Sequence, residues 1–544
     1  MRPFDVATTF EQPQAFIAAE AAPARNRIRV LAIGLFVMLL LLAGRAVQLA
    51  FSGDPLAEPR ASRSATALPR ADIVDRNGVL LATTVRAYAL TAVPARVWDA
   101  PAIADQLRRV FPDLDRAATI RRLTDTSRRL VYLRRGLTPE QRAQVHELGL
   151  AGIGFETEHR REYPQGALAA HALGFTDVDL NPLSGVERGL DEDIRAAGAE
   201  GRPLRLSIDV RMQYALEQEL EAAARAARAS GGAAILLDGR TGETLALASW
   251  PAFAPNEAGA APANARRDRV TGDLHELGST IKPFTVAMAM QEELTRPGEL
   301  FDLATPYVVD SSTIEDHERI NRPATLADVI AHSSNIGAAR LAVRLGGARQ
   351  RSYLDRLGLT SAASLEVGRN QAPLAPAARS RRDVAGLGFG YGLAATPAAL
   401  AGAYTVFTNE GARVAPTLRA RPSDVAVERA PVFSPEVTRQ VLAYMRHAVT
   451  DGTGRAADVP GLMVAGKTGT AEKLGGAGYD DSRNFSSFAG VFPANDPRYV
   501  IVLALDDTGE GAAGGAVAAP AVARTLRRIA PMLGLRVEAR APAR

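Results

Sequence analysis

The chain contains no cysteine among its 544 residues. Disulfides, thiolate nucleophiles and cysteine-ligated metal centres are therefore excluded. Histidine is scarce as well, and none of the seven histidines stands four positions from another, which is the helical spacing of a zinc pair. The formal net charge of +4 is small, and basic and acidic residues are interspersed, which argues against a nucleic-acid-binding surface. We therefore expect no metal, no cofactor and no nucleic-acid partner.

Lysine is almost absent: the 64 basic residues comprise 61 arginines and only Lys282, Lys467 and Lys473. Arginine is effectively never neutral, so it cannot act as a general base. A lysine that survives such a bias marks a position where arginine cannot substitute, although compositional drift is the alternative explanation. This scarcity makes Lys282 and Lys467 candidates for chemistry.

A serine precedes the first of these lysines by three positions, in the stretch Gly278-Ser279-Thr280-Ile281-Lys282. If Ser279 opens a helix, residues three apart share a face, and the amine of Lys282 can reach the hydroxyl of Ser279. A serine becomes a usable nucleophile beside a base. Lysine serves as that base only where burial or a neighbouring charge lowers its pKa. The pair therefore predicts an activated serine.

The longest uncharged apolar run covers residues 30–44 and would span ~22 Å as a helix, short of the ~30 Å of bilayer hydrocarbon. A transmembrane anchor over residues 28–51 requires Arg29 and Arg45 to snorkel. A cleaved signal peptide is the rival, but no small-residue cleavage site directly follows the run, which favours an uncleaved anchor. Arginines flank both ends, so charge does not fix the orientation. Residues 1–27 are expected to form a cytoplasmic tail.

The next part of the chain, residues 52–205, is predicted to fold as one domain of mixed elements. It begins with a linker over 52–70 that is rich in turn residues. The Asn77-Gly78 pair between apolar runs indicates a hairpin. Residues 101–150 have a helical pattern with arginine-rich polar faces, and 156–205 combine short elements with turns.

Residues 206–535 are predicted to form a second globular domain, followed by a tail over 536–544. The domain starts with an amphipathic helix over 212–229, rich in alanine, glutamate and arginine. Short apolar segments separated by turn residues then alternate with helical segments. The predicted strands are 233–238, 243–248, 462–465, 485–492 and 499–505.

A phosphate-loop pattern, Gly461-x-x-x-x-Gly466-Lys467-Thr468, occurs late in the chain. Such a loop joins a strand to a helix and curls its backbone amides around phosphate. Here the four intervening residues are apolar, and Gly469 and Thr470 follow instead of a helix start. The context therefore disfavours nucleotide binding.

Three short motifs occur in order: Ser279-x-x-Lys282, Ser333-x-Asn335 and Lys467-Thr468-Gly469. Each is weak alone, but the ordered set is specific, and over about residues 28–530 the chain resembles the class B penicillin-binding proteins. Leu277 departs from the proline that many relatives carry before Gly-Ser. Further matching segments are Asp75-Arg76-Asn77-Gly78, Tyr163-Pro164, Gly185-Val186-Glu187 and Thr241-Gly242-Glu243.

The resemblance implies an α+β architecture in three parts. An N-terminal transmembrane helix would precede an extended mixed α/β pedestal, the dimerisation-type domain, over 52–205. A transpeptidase domain over 206–535 would carry a central antiparallel sheet flanked by helices.

The resemblance also implies roles for the motif residues in a D,D-transpeptidase. Ser279 would attack the penultimate D-Ala carbonyl of a donor stem peptide, and Lys282 would take its proton. Ser333 would relay a proton to the leaving amine, while Asn335 would hold Lys282 and the substrate amide. Lys467 would place positive charge near the substrate carboxylate.

The substrate itself would lie along the third motif. Thr468, Gly469 and Thr470 are the implied substrate-binding residues, with the two threonine hydroxyls donating to the carboxylate. The backbone N–H groups of Ser279 and Thr470 would form the oxyanion hole, and β-lactams would acylate the same serine as covalent inhibitors.

Within the family, the compact pedestal and the lack of appended modules favour a division-type, septal enzyme. It would be a single-pass protein of the inner membrane with its catalytic domain in the periplasm. A polytopic glycan polymerase and other division proteins would be its partners. The alternatives are an elongation-type enzyme, a D,D-carboxypeptidase or β-lactamase, and a non-enzymatic β-lactam-binding sensor or scaffold.

Overall fold

A computed structural model of the chain describes residues 29–45, 70–422, 424–475, 478–508 and 513–537, with the backbone alone between 472 and 483. The expected tail over 1–27, the linker up to residue 69 and the end of the C-terminal tail lie outside the described residues. Contacts divide the chain into two units, 1–67 and 68–544.

In the first unit, the described residues form one helix, α1, over 29–45. Its large apolar side chains, from Val30 to Leu42, are all exposed. Within the described ranges, no helix combines the length and the apolar character needed to cross a membrane. The transmembrane part of the predicted fold class therefore lacks support in the described residues.

The N-terminal part of the second unit is built on a five-stranded sheet of order β3-β2-β1-β5, with β4 also paired to β2. Its strands are β1 (Ile73–Val74), β2 (Leu80–Ala92), β3 (Val131–Leu137), β4 (Ile153–Glu162) and β5 (Leu204–Arg205). Its helices are α2 (Ala100–Val110), α3 (Arg116–Thr124), α4 (Pro139–Glu147), α5 (Ala170–Leu173), α6 (Gly185–Gly189) and α7 (Asp191–Ala199).

The predicted hairpin at Asn77-Gly78 is confirmed, because β1 and β2 pair antiparallel across it. The helical interpretation of 101–150 is wrong at 131–137, where β3 pairs antiparallel with β2. Val131 and Leu133 are buried while Tyr132 is exposed, which is the two-residue period of a strand. Arg134 and Arg135 interrupt this alternation in the sequence, so the strand was not recognised there.

The rest of the second unit carries the central sheet. Its helices are α8 (Val210–Ala226), α9 (Arg269–Gly272), α10 (Lys282–Gln291), α11 (Leu326–Ala331), α12 (Asn335–Leu345), α13 (Gly347–Arg356), α14 (Arg381–Phe389), α15 (Pro397–Tyr404), α16 (Pro435–Thr450) and α17 (Gly514–Ile529). Its longer strands are β6 (Gly231–Asp238), β7 (Thr244–Trp250), β16 (Ala465–Gly475), β17 (Gly478–Phe492) and β18 (Tyr499–Thr508).

Short two- and three-residue strands lie between β7 and β16. They are β8 (His275–Glu276), β9 (Phe301–Asp302), β10 (Tyr307–Val309), β11 (Ser312–Ile314), β12 (Pro323–Ala324), β13 (Ala394–Ala395), β14 (Ala412–Arg413) and β15 (Ala430–Pro431).

The five long strands form one antiparallel sheet of order β16-β17-β18-β6-β7, as expected for the catalytic domain. Alternate residues of β6 serve its two faces. Ala234 and Leu236 belong to a core with α8 and α17. Ile235 and Leu237 belong to the core that contains α10, α15 and α16. A sheet buried on both faces is rigid, which suits the placement of catalytic groups.

The predicted strand over 462–465 starts later than expected, at Ala465, and runs to Gly475. Lys467 therefore lies inside a paired strand, opposite Ala489 of β17. This position excludes the phosphate-loop alternative, since a strand interior cannot curl its amides around a phosphate. The proposed domain limits at 205/206 and 535/536 stay predictions.

Candidate active site

Ser279 lies in a short 3₁₀ turn, Gly278–Ile281, that leads directly into α10. Residues three apart eclipse one another in such a turn, so the Ser279 and Lys282 side chains align more closely than in the expected α-helix. Lys282 Nζ lies 3.0 Å from Ser279 Oγ. The sequence spacing therefore predicted the contact correctly, although the turn type differs.

The amine of Lys282 is fully buried and surrounded by neutral oxygen atoms. It donates to the Ser333 carbonyl and lies 3.1 Å from Ser333 Oγ and 2.7 Å from Asn335 Oδ1. Among the described residues no carboxylate forms an ion pair with it. Burial, together with the nearby charge of Lys467, holds the pKa of Lys282 well below its usual value. A lysine in this state can accept a proton.

Ser333 reaches Lys282 because its backbone is left-handed, with φ of +61°. Such a conformation is uncommon for a residue with a side chain. It turns both the carbonyl and the hydroxyl toward the amine, and Ser333 Oγ donates to Ser279 Oγ at 2.8 Å. The N-cap of α12 is the next residue, Ser334, whose Oγ accepts from Gly337 N. Together with Asn335, four side chains from two motifs thus form one hydrogen-bonded network.

Asp316 supports this turn and was missed by the sequence analysis. Its carboxylate accepts from Ser334 Oγ at 2.6 Å and from Ile336 N at 2.9 Å. Next to it, the Glu315 carbonyl accepts from Asn335 Nδ2 at 3.2 Å. The negative charge of Asp316 also acts to raise the pKa of Lys282, against the larger effect of burial. Nothing local in the sequence identifies a loop residue 18 positions away as a support for Ser334.

Lys467, the second candidate lysine, is fully buried on β16. Its Nζ donates to the Thr468 carbonyl at 3.0 Å, and lies 3.3 Å from Thr468 Oγ1 and 3.4 Å from Thr453 Oγ1. Within the described part of the chain it has no carboxylate partner, and burial lowers its pKa to about 7. Thr453, which also accepts from Thr468 Oγ1 at 2.9 Å, is a second residue that sequence analysis missed.

Glycines allow β16 to approach the serine turn closely. A Cβ at Gly469 would lie 2.4 Å from Ser487 Oγ and 2.9 Å from Thr280 Cγ2. A Cβ at Gly278, whose φ is +49°, would lie 3.0 Å from the Thr470 carbonyl. The structure therefore brings all three motifs together, with Gly469 and Thr470 beside the Ser279 turn.

The fold and this site together define a serine acyltransferase. A serine hydroxyl lies beside a buried amine of low pKa, and a second hydroxyl bridges the two. A candidate nucleophile, a candidate base and a second hydroxyl are thus within hydrogen-bond distance, the arrangement that nucleophilic catalysis needs. The strand with the second buried lysine borders the serine.

Comparisons with known proteins agree with this class. Residues 232–527 match the penicillin-binding protein transpeptidase domain, and residues 65–196 match the penicillin-binding protein dimerisation domain. A probable peptidoglycan D,D-transpeptidase FtsI of Caulobacter vibrioides is 41% identical over 483 residues, covering 86% of this chain and 82% of the relative. The peptidoglycan D,D-transpeptidase FtsI of Escherichia coli K12 is 33% identical over 482 residues, covering 83% and 81%.

The fold also matches a solved structure, penicillin-binding protein 3 of Mycobacterium tuberculosis complexed with aztreonam. The TM-score is 0.68 at 24% identity, over 87% of this chain and 98% of that one. The chain belongs to the class B penicillin-binding proteins, with the division-type enzymes among its relatives.

Proposed function

We propose that Ser279 is the nucleophile of this peptidoglycan D,D-transpeptidase, and that the enzyme cross-links stem peptides during septal wall synthesis. The chain is a serine-type D-Ala-D-Ala transpeptidase by its family membership and its relatives. The observation that carries the residue assignment is the contact of Ser279 Oγ with a fully buried lysine of lowered pKa.

In the first step, Lys282 in its neutral form takes the proton of Ser279 as Oγ attacks the carbonyl carbon of the penultimate D-Ala. The C–N bond of the donor then breaks, and the departing amine of the terminal D-Ala receives a proton through Ser333 Oγ. That hydroxyl is suited to the relay because it lies 2.8 Å from Ser279 Oγ and 3.1 Å from Lys282 Nζ. An acyl-enzyme and free D-Ala result.

In the second step, an amine from a neighbouring stem peptide gives up a proton to Lys282 and attacks the ester carbonyl. The bond between the acyl carbon and Ser279 Oγ then breaks, Oγ takes a proton back from Lys282, and the new amide is the cross-link. The backbone N–H groups of Ser279 and Thr470 would stabilise the oxyanion in both steps, and loss of one such donor typically costs roughly 10²–10³ in rate. Gly278 supports this placement, because it lets the Thr470 carbonyl approach the serine turn.

The substrate carboxylate would bind at Lys467, Thr468 and Thr470. Lys467 is buried without a carboxylate partner among the described residues, so a substrate carboxylate would supply the missing negative charge. Binding would raise the pKa of Lys467 from about 7 and fix its positive charge. Specific recognition of a C-terminal carboxylate follows from this pairing.

The cellular placement is part of the same proposal. Residues 28–51 would attach the chain to the inner membrane through apolar side chains such as those exposed on α1. The catalytic region would lie in the periplasm. A pedestal over 52–205 would then contact a polytopic glycan polymerase and other division proteins. The division-type relatives support the septal role.

Labelling with a fluorescent penicillin tests the assignment. We expect covalent label on the purified full-length chain and none on Ser279→Ala. Ser361→Ala, which changes an exposed serine, is the matched control and should label like the wild type. An unlabelled but folded wild type would contradict the acyl-enzyme mechanism and favour the scaffold alternative.

Product analysis then separates transfer from hydrolysis. With a pentapeptide donor and an amine acceptor we expect cross-linked dimer beside free D-Ala. Hydrolysed tetrapeptide alone, at any acceptor concentration, would identify a carboxypeptidase and overturn the transpeptidase proposal.

A further inference from the structure

A cavity of about 390 Å³ lies away from the catalytic serine, where the N-terminal and catalytic parts of the second unit meet. Residues of α5 and α6 form one wall. The opposite wall comes from two catalytic-region segments, 266–272 and 367–371. None of the three catalytic motifs contributes a lining residue.

The walls of this cavity are joined by close backbone contacts. A Cβ at Gly189 would lie 2.2 Å from the Glu366 carbonyl oxygen, so α6 packs directly on the 366–369 segment. Thr271 Oγ1 donates to the Arg369 carbonyl at 3.4 Å, and Gln371 N donates to the Thr271 carbonyl at 2.9 Å. The cavity is therefore preformed, as small-molecule sites usually are.

The lining carries an excess of positive charge. Four arginines line the cavity, against one carboxylate, Asp268. Arg267 pairs with Asp273. The other three, Arg188, Arg266 and Arg369, are exposed at the cavity and form no ion pair within the described part of the chain.

Two carboxylates that are close to these arginines in the sequence pair with other arginines. Glu187, beside Arg188, is buried between Arg70 and Arg161. Glu366 lies 3.5 Å from Arg419 and also accepts from Thr417 Oγ1 and Leu418 N, each at 2.7 Å.

Asp268, which accepts from Val270 N and Thr271 Oγ1, supplies the one negative charge of the lining. His171 is buried against Phe253, and desolvation lowers its pKa, so it contributes no lasting charge. The lining therefore carries more positive than negative charge.

We propose that this cavity binds a small polyanion that presents two or more carboxylate or phosphate groups to Arg188, Arg266 and Arg369. The planar guanidinium fork matches both groups in bidentate geometry. Phe253 and Val367 add an apolar surface for the body of the ligand. The cavity volume of about 390 Å³ leaves room for a small polyanion. The inference does not depend on the acyl-transfer chemistry.

Calorimetric titration of the full-length chain tests this site, with inorganic pyrophosphate for the phosphate source and tricarballylate for the carboxylate source, at constant ionic strength. We expect saturable one-to-one binding of at least one of the two. The preferred anion identifies the ligand class. The Arg266→Gln/Arg369→Gln double variant should bind about tenfold more weakly or worse, because two charge-assisted bidentate contacts are removed.

The matched control is the Arg225→Gln/Arg439→Gln double variant. It removes the same charge from exposed arginines that pair only with a glutamate on their own helix, so binding should be unchanged. Thermal unfolding followed by circular dichroism confirms that each variant is folded. The proposal would be overturned if neither anion showed saturable binding. Equal losses of affinity in the two double variants would also overturn it.

Discussion

Two regions of this protein bury basic side chains almost completely, and they differ in whether these side chains have a carboxylate partner. In the pedestal region, Arg70 and Arg161 flank Glu187, and all three side chains are at most 1% exposed. At the catalytic site, Lys282 and Lys467 are equally buried, but no described carboxylate pairs with either. In the pedestal region the buried cations are arginines that share a carboxylate, whereas the buried lysines of the candidate site lack a described carboxylate partner and have lowered pKa values.

This difference follows from desolvation. A buried cation without a counter-ion is costly, and a lysine avoids the cost by losing its proton, which arginine cannot do. The scarcity of lysine in the chain therefore has a physical meaning at two of its three positions.

The largest effect is expected from Lys282→Arg. The guanidinium keeps its proton, so Ser279 loses its base, and acylation should fall by about 10³-fold or more. The rate of labelling by a fluorescent penicillin measures this loss. Lys282 would not be the base if the arginine variant acylated at close to the wild-type rate.

In the pedestal region, Glu187→Gln should instead destabilise the fold. It leaves two buried guanidinium groups without their shared carboxylate, and breaking such a pair costs about 3–5 kcal/mol. Denaturant unfolding measures the change. Glu436→Gln, at an exposed pair with Arg439, should cost about 0–1 kcal/mol. Equal effects of the two changes would remove the distinction between buried and exposed pairs.

Asp316→Asn should change the pKa of Lys282, although the lysine itself is not substituted. The negative charge acts to raise the pKa of Lys282, so its removal lowers that pKa further. The base must be neutral, so activity is lost as the pH falls through this pKa, and the acid limb should move to lower pH. Loosening of the Ser334 turn should also slow acylation, by about tenfold. A pH profile of acylation measures both effects, and an acid limb that moved upward would contradict the assignment.

The smallest effect is expected on the alkaline limb of the pH profile of kcat/KM. Lys467 must be charged to bind a carboxylate, and its pKa in the empty site is about 7, so kcat/KM should decline as the pH rises above that value. Lys467→Arg keeps the charge at all these pH values and should flatten this limb. About half a pH unit above the pKa the loss should be a few-fold, because kcat/KM follows the charged fraction of Lys467 in the free enzyme. A limb that persisted in the arginine variant would assign it to another group.

Much of the site could be predicted from the sequence, because its chemistry resides in short local motifs. The i, i+3 spacing of Ser279 and Lys282 is local geometry, and the three motifs occur in a fixed order. Asp316 and Thr453 could not be predicted, since each meets its partner only through the fold. The strand β3 was missed because the surrounding helical pattern and exposed arginines obscured its two-residue period.

The sequence by itself determined the reactive residue types: a serine with a lysine one short turn away, and lysines kept where arginine is otherwise used. Only the tertiary structure decided the pKa values of those lysines. Lys282 meets Ser333 and Asn335 only because the fold brings together segments more than 50 residues apart. A pKa depends on the surrounding solvent and charge, and these are set by packing rather than by neighbours in the chain.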